Sequence, residues 1–157
     1  MSYLVRGAEK QRDLRLPAVG AVSALTIAVN YGGTQPDSPI ARDARGDDSH
    51  DVLVTMLRGM QEWASAELGA SVAGKAHTGT RPILERELAK RAGIGWFGKN
   101  TVLISPKHGS CFWGVLLLTV ESEVDQPCVT DQCGTCTRCL EACPTAALVE
   151  PRVMDAT

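Results

Sequence analysis

Apolar residues along this chain come in runs of two kinds, told apart by their spacing. Ala21–Tyr31 is dense in Val, Leu, Ile and Thr and ends at Gly32-Gly33, which predicts a buried strand and a turn. Thr34–Asp48, with Pro36, Pro39, Gly46 and scattered Asp and Arg, predicts a loop. The period then changes. Leu53, Met56, Leu57, Met60, Trp63, Ala64 and Leu68 recur at helical spacing and predict an amphipathic helix. Ser49 is its expected cap, with Asp47, Asp48 and Asp51 favourable at the positive end, and Gly69 its expected stop. The Met and Trp side chains of that stripe are expected in the core. Ala70–His77 predicts a second strand. Pro82 opens a second helix, Ile83 to about Ala92, stopped by Gly93. Val102–Ile104 predicts a short strand, Ser105–Gly109 a turn, and Cys111–Val120 a strongly apolar strand. The residues before Ala21, including the charged stretch Glu9–Arg15, carry no assigned element. Strand and helix alternate, so the expected class is α/β. One domain is expected over residues 1–125, with a smaller segment over 126–157 attached through the acidic linker Glu121–Asp131.

Composition narrows the classes. The 157 residues are 44% hydrophobic and 22% charged, which fits a globular chain rather than a disordered or membrane one. The net charge of −2 gives no broad basic surface for nucleic acid. The Lys and Arg between Arg81 and Arg91 are interleaved with acids and read as a solvated helix face. No apolar run reaches the roughly 18 residues of a membrane span, and the N-terminus has no signal-peptide pattern. The expected location is a reducing cytoplasm, in line with the cysteine usage described next.

Four of the six cysteines stand together. Cys133-Gly-Thr-Cys136-Thr-Arg-Cys139-Leu-Glu-Ala-Cys143-Pro144 is the spacing C-x2-C-x2-C-x3-C-P of bacterial ferredoxins, a ligand set for a [4Fe–4S] cluster. Two-residue gaps let a tight loop turn three thiolates to one face while backbone N–H groups approach the sulfurs. Gly134 relieves crowding, and Pro144 stops the helical turn expected over Thr137–Ala142. Zinc is the second reading, although zinc sites usually bring two separated C-x2-C pairs, and disulfides are the third. In two-cluster proteins the fourth cysteine of such a run ligates the other cluster. Here Cys143 folds back onto the local cluster, or Cys128 or Cys111 completes it, or the chain is a piece of a larger protein.

Gly93-Ile-Gly-Trp-Phe-Gly-Lys-Asn-Thr is the other informative stretch. Its glycines allow backbone to approach a ligand, and Trp96 and Phe97 offer a flat apolar wall. A tight turn over core aromatics is the competing reading. His50, His77 and His108 lie in separate segments without ligand spacing and are expected as surface or capping residues. Cys111, inside an apolar strand, is expected as a buried small hydrophobe, and Cys128 as a passive thiol.

The run Arg81–Thr101, the Gly109-Ser110 turn with the apolar strand after it, and the cysteine run followed by Thr145-Ala146-Ala147-Leu148-Val149-Glu150-Pro151 together resemble the epoxyqueuosine reductase family. The resemblance extends from Met1-Ser-Tyr-Leu to Met154-Asp155-Ala156. It implies an oxidoreductase that uses cobalamin and two [4Fe–4S] clusters to reduce the epoxide of epoxyqueuosine at the wobble position of tRNA. It implies a cobalamin-binding-type α/β domain with a ferredoxin-like appendage. Cys133, Cys136 and Cys139 would hold the cluster nearer the cobalamin, with Cys143 belonging to the second. Gly95, Gly98, Lys99, Asn100, Gly109 and Ser110 would approach the corrin. Electrons would enter from a flavodoxin or ferredoxin system, cobalt would be reduced and would attack the epoxide, and a proton would follow. The expected state is a monomer.

The chain departs from the family pattern in places. The second cysteine run, the C-terminal tRNA-binding repeats and an N-terminal segment are absent, as expected for a fragment or one half of a split system. The family's proton-donor aspartate position is Gly79 here, and Asp43 and Ser49 stand where the family has tyrosines. The expectation is therefore a chain slow in epoxide reduction on its own, with Asp48 or His77 as candidate substitutes for the acid. The alternatives are a ferredoxin-like electron carrier, which needs no α/β domain, and a zinc-stabilised interaction module.

Overall fold

The computed structural model describes residues 2–32, 36–79, 83–123 and 129–155. The elements run α1 (Ser2–Arg12), β1 (Ser23–Asn30), α2 (Ser49–Glu67), β2 (Gly74–His77), α3 (Glu85–Arg91), β3 (Trp96–Phe97), β4 (Leu103–Ser105), β5 (Gly109–Leu118), α4 (Arg138–Glu141), β6 (Leu148–Glu150) and β7 (Val153–Met154). No helix among the described residues is long and apolar enough to cross a membrane.

Strand β5 is the axis of the sheet. β1 pairs along it from Ser23↔Leu118 to Asn30↔Cys111. β2 takes the opposite edge, from Gly74↔Leu118 to His77↔Val115, and β4 joins through the hairpin pair Ser105↔Gly109. β3 completes the order β1-β5-β4-β3. Helix and strand alternate from α1 to α3, three strands then follow in succession, and every pairing among the described residues is antiparallel.

The unbroken run Val115-Leu116-Leu117-Leu118 is explained by burial on both faces. Val115 and Leu117 pack with Ala21 and Ile83, backed by Leu14, Ala18 and Leu88 of α3. Leu116 and Leu118 pack with Leu57 of α2 and Val72. The sheet is thus sandwiched between α2 and α3, and each fully buried aliphatic contributes on the order of 1.5–3 kcal/mol. Gly114 lies under α2. A Cβ there would press to 3.1 Å from Leu57 Cδ1 and 3.3 Å from Ile27 Cγ1.

Several expectations change. Residues 2–12 are helical, with Lys10 and Arg12 in the last turn favouring the helix dipole. Asp48, not Ser49, caps α2, its side chain accepting the His50 N–H. Gly69, at φ +60, does end that helix. Only Leu53 and Leu57 of its apolar stripe are buried, whereas Met56, Met60, Trp63 and Leu68 are exposed. The sheet-facing side is narrower because Gln61 and Ser65 use it to hydrogen-bond Val72. Pro82 lies outside the described residues, and α3 begins at Glu85 and stops before Gly93, at φ +72. His77 is buried, because β2 lies against β5 at Val115.

Candidate functional site: a cysteine loop docked on a glycine hairpin

Residues 129–155 bury no side chain fully, and hydrogen bonds shape them. Asp131 Oδ1 accepts the Cys133 N–H at 2.8 Å, and Cys133 C=O accepts the Cys136 N–H at 2.9 Å. Gly134 has φ +46 with nothing within 4 Å of its added Cβ, so it serves the backbone conformation, not the relief of crowding. α4 carries Cys139, and Cys143 follows its C-cap Ala142. Cys111, Cys133, Cys136, Cys139 and Cys143 are all free thiols, which removes the disulfide reading for them, and Cys128 lies outside the described residues. The Leu148 N–H, the Thr145 hydroxyl and further N–H groups hold the Cys143 thiol below its ordinary value. Among the described residues no three candidate ligands gather as a site for one ion.

The glycine stretch is the β3–β4 hairpin, and its glycines serve the hairpin itself. A Cβ on Gly95 would fall 2.2 Å from Ile104 O, and one on Gly98 would fall 2.5 Å from Ile104 Cδ1. Asn100 Oδ1 accepts the Val102 N–H at 3.2 Å inside the turn. The side chains around it hold the cysteine loop. Lys99 Nζ donates to Gly134 O at 2.8 Å and to Cys136 O at 2.9 Å. Trp96 Nε1 donates to Cys133 Sγ at 3.4 Å. Arg152, in the β6–β7 turn at φ +67, donates its backbone N–H to Lys99 O at 2.9 Å and its Nε–H to Phe97 O at 3.2 Å, and it pairs with Asp131. A cavity of about 550 Å³ lies at this junction, lined in part by Lys90, Trp96, Phe97, Asp131 and Arg152.

A second cavity, of about 270 Å³, opens where β2 ends beside β5. His50, Thr78, Gly79, Glu85, Arg86 and Cys111 are among its lining residues. Asp48 holds His50 through Nδ1 at 2.9 Å, and a Cβ on Gly79, whose φ is +43, would lie 3.4 Å from His50 Nε2. Hydrogen bonding from the His50 N–H and ring holds the Asp48 carboxyl below its ordinary value. Burial pushes Glu85 above the usual carboxylate range, against the opposing pull of its own N–H, the Gly79 N–H and the Arg86 charge. Its Oε1 is buried and makes no hydrogen bond. Burial likewise raises the Cys111 thiol.

No family model matches the chain. Curated relatives do. An epoxyqueuosine reductase of Cellulophaga algicola is 36% identical over 160 residues, covering 99% of this chain and 52% of its own length. One of Gloeobacter violaceus is 40% identical over 153 residues, covering 94% of this chain and 47% of its own. The backbone matches an epoxyqueuosine reductase solved with an epoxyqueuosine-modified tRNA stem loop at a TM-score of 0.80, with 32% identity, over 93% of this chain and 41% of that one. The chain belongs to the epoxyqueuosine reductase family. It spans about half the length of the curated relatives it matches.

Of the residues expected to approach a corrin in an epoxyqueuosine reductase, Gly95, Gly98, Lys99 and Asn100 are engaged by the chain itself. Gly109, at φ +69, is open, with nothing within 4 Å of an added Cβ, and Ser110 leads from it into Cys111 and the Gly79 cavity. The structure brings Trp96 and Lys99 onto the cysteine loop and keeps His50 and Gly79 apart from it, in the second cavity. Asp131, Arg152 and Glu85 are the residues that sequence reasoning missed. The Pro151-Arg152 turn offered no sign of its partner, and Glu85 sat in a charged helix face.

Proposed function

We propose that this chain carries the chemistry of its family, the reduction of the epoxide of epoxyqueuosine in tRNA. The supporting observation is the backbone match to a reductase solved with the modified stem loop. In this reading Cys133, Cys136 and Cys139 hold a [4Fe–4S] cluster, with Cys143 as the remaining thiolate of the run. The donor set suits a cluster: four free thiols, one of them accepting an indole N–H, on a loop whose carbonyls are held by Lys99. Such supporting contacts orient ligands and tune the metal. The open Gly109-Ser110 turn would border cobalamin, which when bound would supply a strong reductant for the epoxide. The chain's own residues seat the cluster, border the cavity at Gly79 and deliver protons there. The partners are the modified tRNA and a small electron donor of the flavodoxin or ferredoxin kind, with the chain acting as a monomer.

The test has two steps. Anaerobic reconstitution with iron and sulfide, followed by cob(II)alamin titration, should give a thiolate-to-iron absorption band and a change in the cobalt EPR signal. Single-turnover reaction with an epoxyqueuosine stem loop and a strong chemical reductant should then yield queuosine. A cluster that cycles electrons without stem-loop binding or conversion supports the electron-carrier alternative, and zinc without iron contradicts both.

A further inference from the structure

We propose that the protons for epoxide opening come from Glu85 and His50, which border the cavity at Gly79. The inference rests on the reading of the chain as an epoxide reductase. Converting an epoxide to an alkene and water breaks two C–O bonds, forms one π bond and two O–H bonds, and consumes two electrons and two protons. The electrons come from the low-potential reductant named above. The protons must come from groups that border the substrate.

The lining of the 270 Å³ cavity leaves few donors. Arg86 does not give up a proton, and the hydroxyls of Ser49 and Thr78 are too weak as acids. The Cys111 thiol is raised by burial and holds its proton. Gly79 has no side chain, and one placed there would take a left-handed backbone at φ +43 and meet His50. Among the described residues, Glu85 and His50 remain.

Glu85 enters the cavity from the first turn of α3, its buried Oε1 without a hydrogen-bond partner. An unpaired buried carboxylate oxygen is costly, and protonation or a bound hydroxyl relieves it. Burial moves this carboxyl toward the neutral form, as a general acid requires. His50 enters from the first turn of α2. Its Nδ1 is tied to Asp48, so Nε2 is the nitrogen on the Gly79 side. The Asp48 carboxylate orients the ring, as the acid of a triad does.

The test uses the full chain in two arms. In the first, side-chain carboxyls are titrated by ¹³C NMR, with Glu85→Gln assigning the signal; Arg86, His50 and Cys111 are the titratable or charged neighbours in the cavity. A Glu85 midpoint above the ordinary value of about 4.3 is expected, and an ordinary or lower midpoint overturns the assignment. In the second, loaded parent, Glu85→Gln and His50→Gln are compared in single-turnover conversion, with stem-loop affinity and melting temperature measured alongside. Glu85→Gln should lower the rate by about 10²- to 10⁴-fold at unchanged affinity, and Glu85→Asp should recover part of it. A parent that converts substrate no faster than Glu85→Gln and His50→Gln overturns this proposal alone. A parent that leaves the epoxide untouched defeats the functional reading and this inference with it, whereas an ordinary Glu85 midpoint defeats the inference alone.

Discussion

The sheet and the cysteine segment are held together by opposite means. In β5, Val115, Leu116 and Leu117 are at most 1% exposed, and helices cover both faces. In residues 129–155 no side chain is fully buried, and the segment meets the rest through Lys99, Trp96 and Arg152. Apolar burial stabilises the first region without any cofactor. The second has little buried surface and is tied to the frame by a few directional hydrogen bonds; the proposed cluster would add ligation, as in small metal-stabilised domains. The division would suit the proposed cluster, with a packed frame carrying a loop whose geometry the cluster would complete.

The sharpest way to separate the regions is Cys136→Ala. It should abolish cluster loading entirely while leaving the melting temperature of the metal-free chain unchanged, as read by iron content and circular dichroism. Leu117→Ala strikes the other side. It should cost about 2–5 kcal/mol in denaturant unfolding, because its cavity lies between β5 and α3. Lys99→Met probes the junction. It removes two hydrogen bonds to loop carbonyls and should speed iron loss in air or to a chelator by about 10- to 100-fold, with the core unaffected. Asp48→Ala gives the smallest effect on stability and tests the cap of α2. The folded carboxyl lies below its unfolded value, so its contribution is present above about pH 4 and fades as pH falls through the lowered value. Melting curves of parent and variant should differ by a few degrees at neutral pH and converge in acid.

What was legible in the sequence follows the same division. The apolar run of β5, the glycines ending α2 and α3, and the spacing of Cys133–Cys143 are local signals, and each gave an element where it stands. The antiparallel pairing of β1 and β2 to β5 is not local, and alternation of helix and strand does not distinguish it from a crossover sheet. Met56, Met60 and Trp63 share the helical period of Leu53 and Leu57, but only geometry says which part of a wide stripe meets the sheet. The junction was the least legible part. Trp96 and Lys99 stood out as aromatic and cationic, while their partners, a sulfur and two carbonyls 35 to 37 residues away, are set by how the loop docks.

Amide hydrogen exchange on the full chain, before and after anaerobic loading with iron and sulfide, separates the two regions. Residues 131–152 should exchange fast in the metal-free chain and slow markedly on loading, with β1 and β5 equally protected in both states. Exchange in that segment that loading leaves unchanged would contradict a cysteine loop ordered by its cluster.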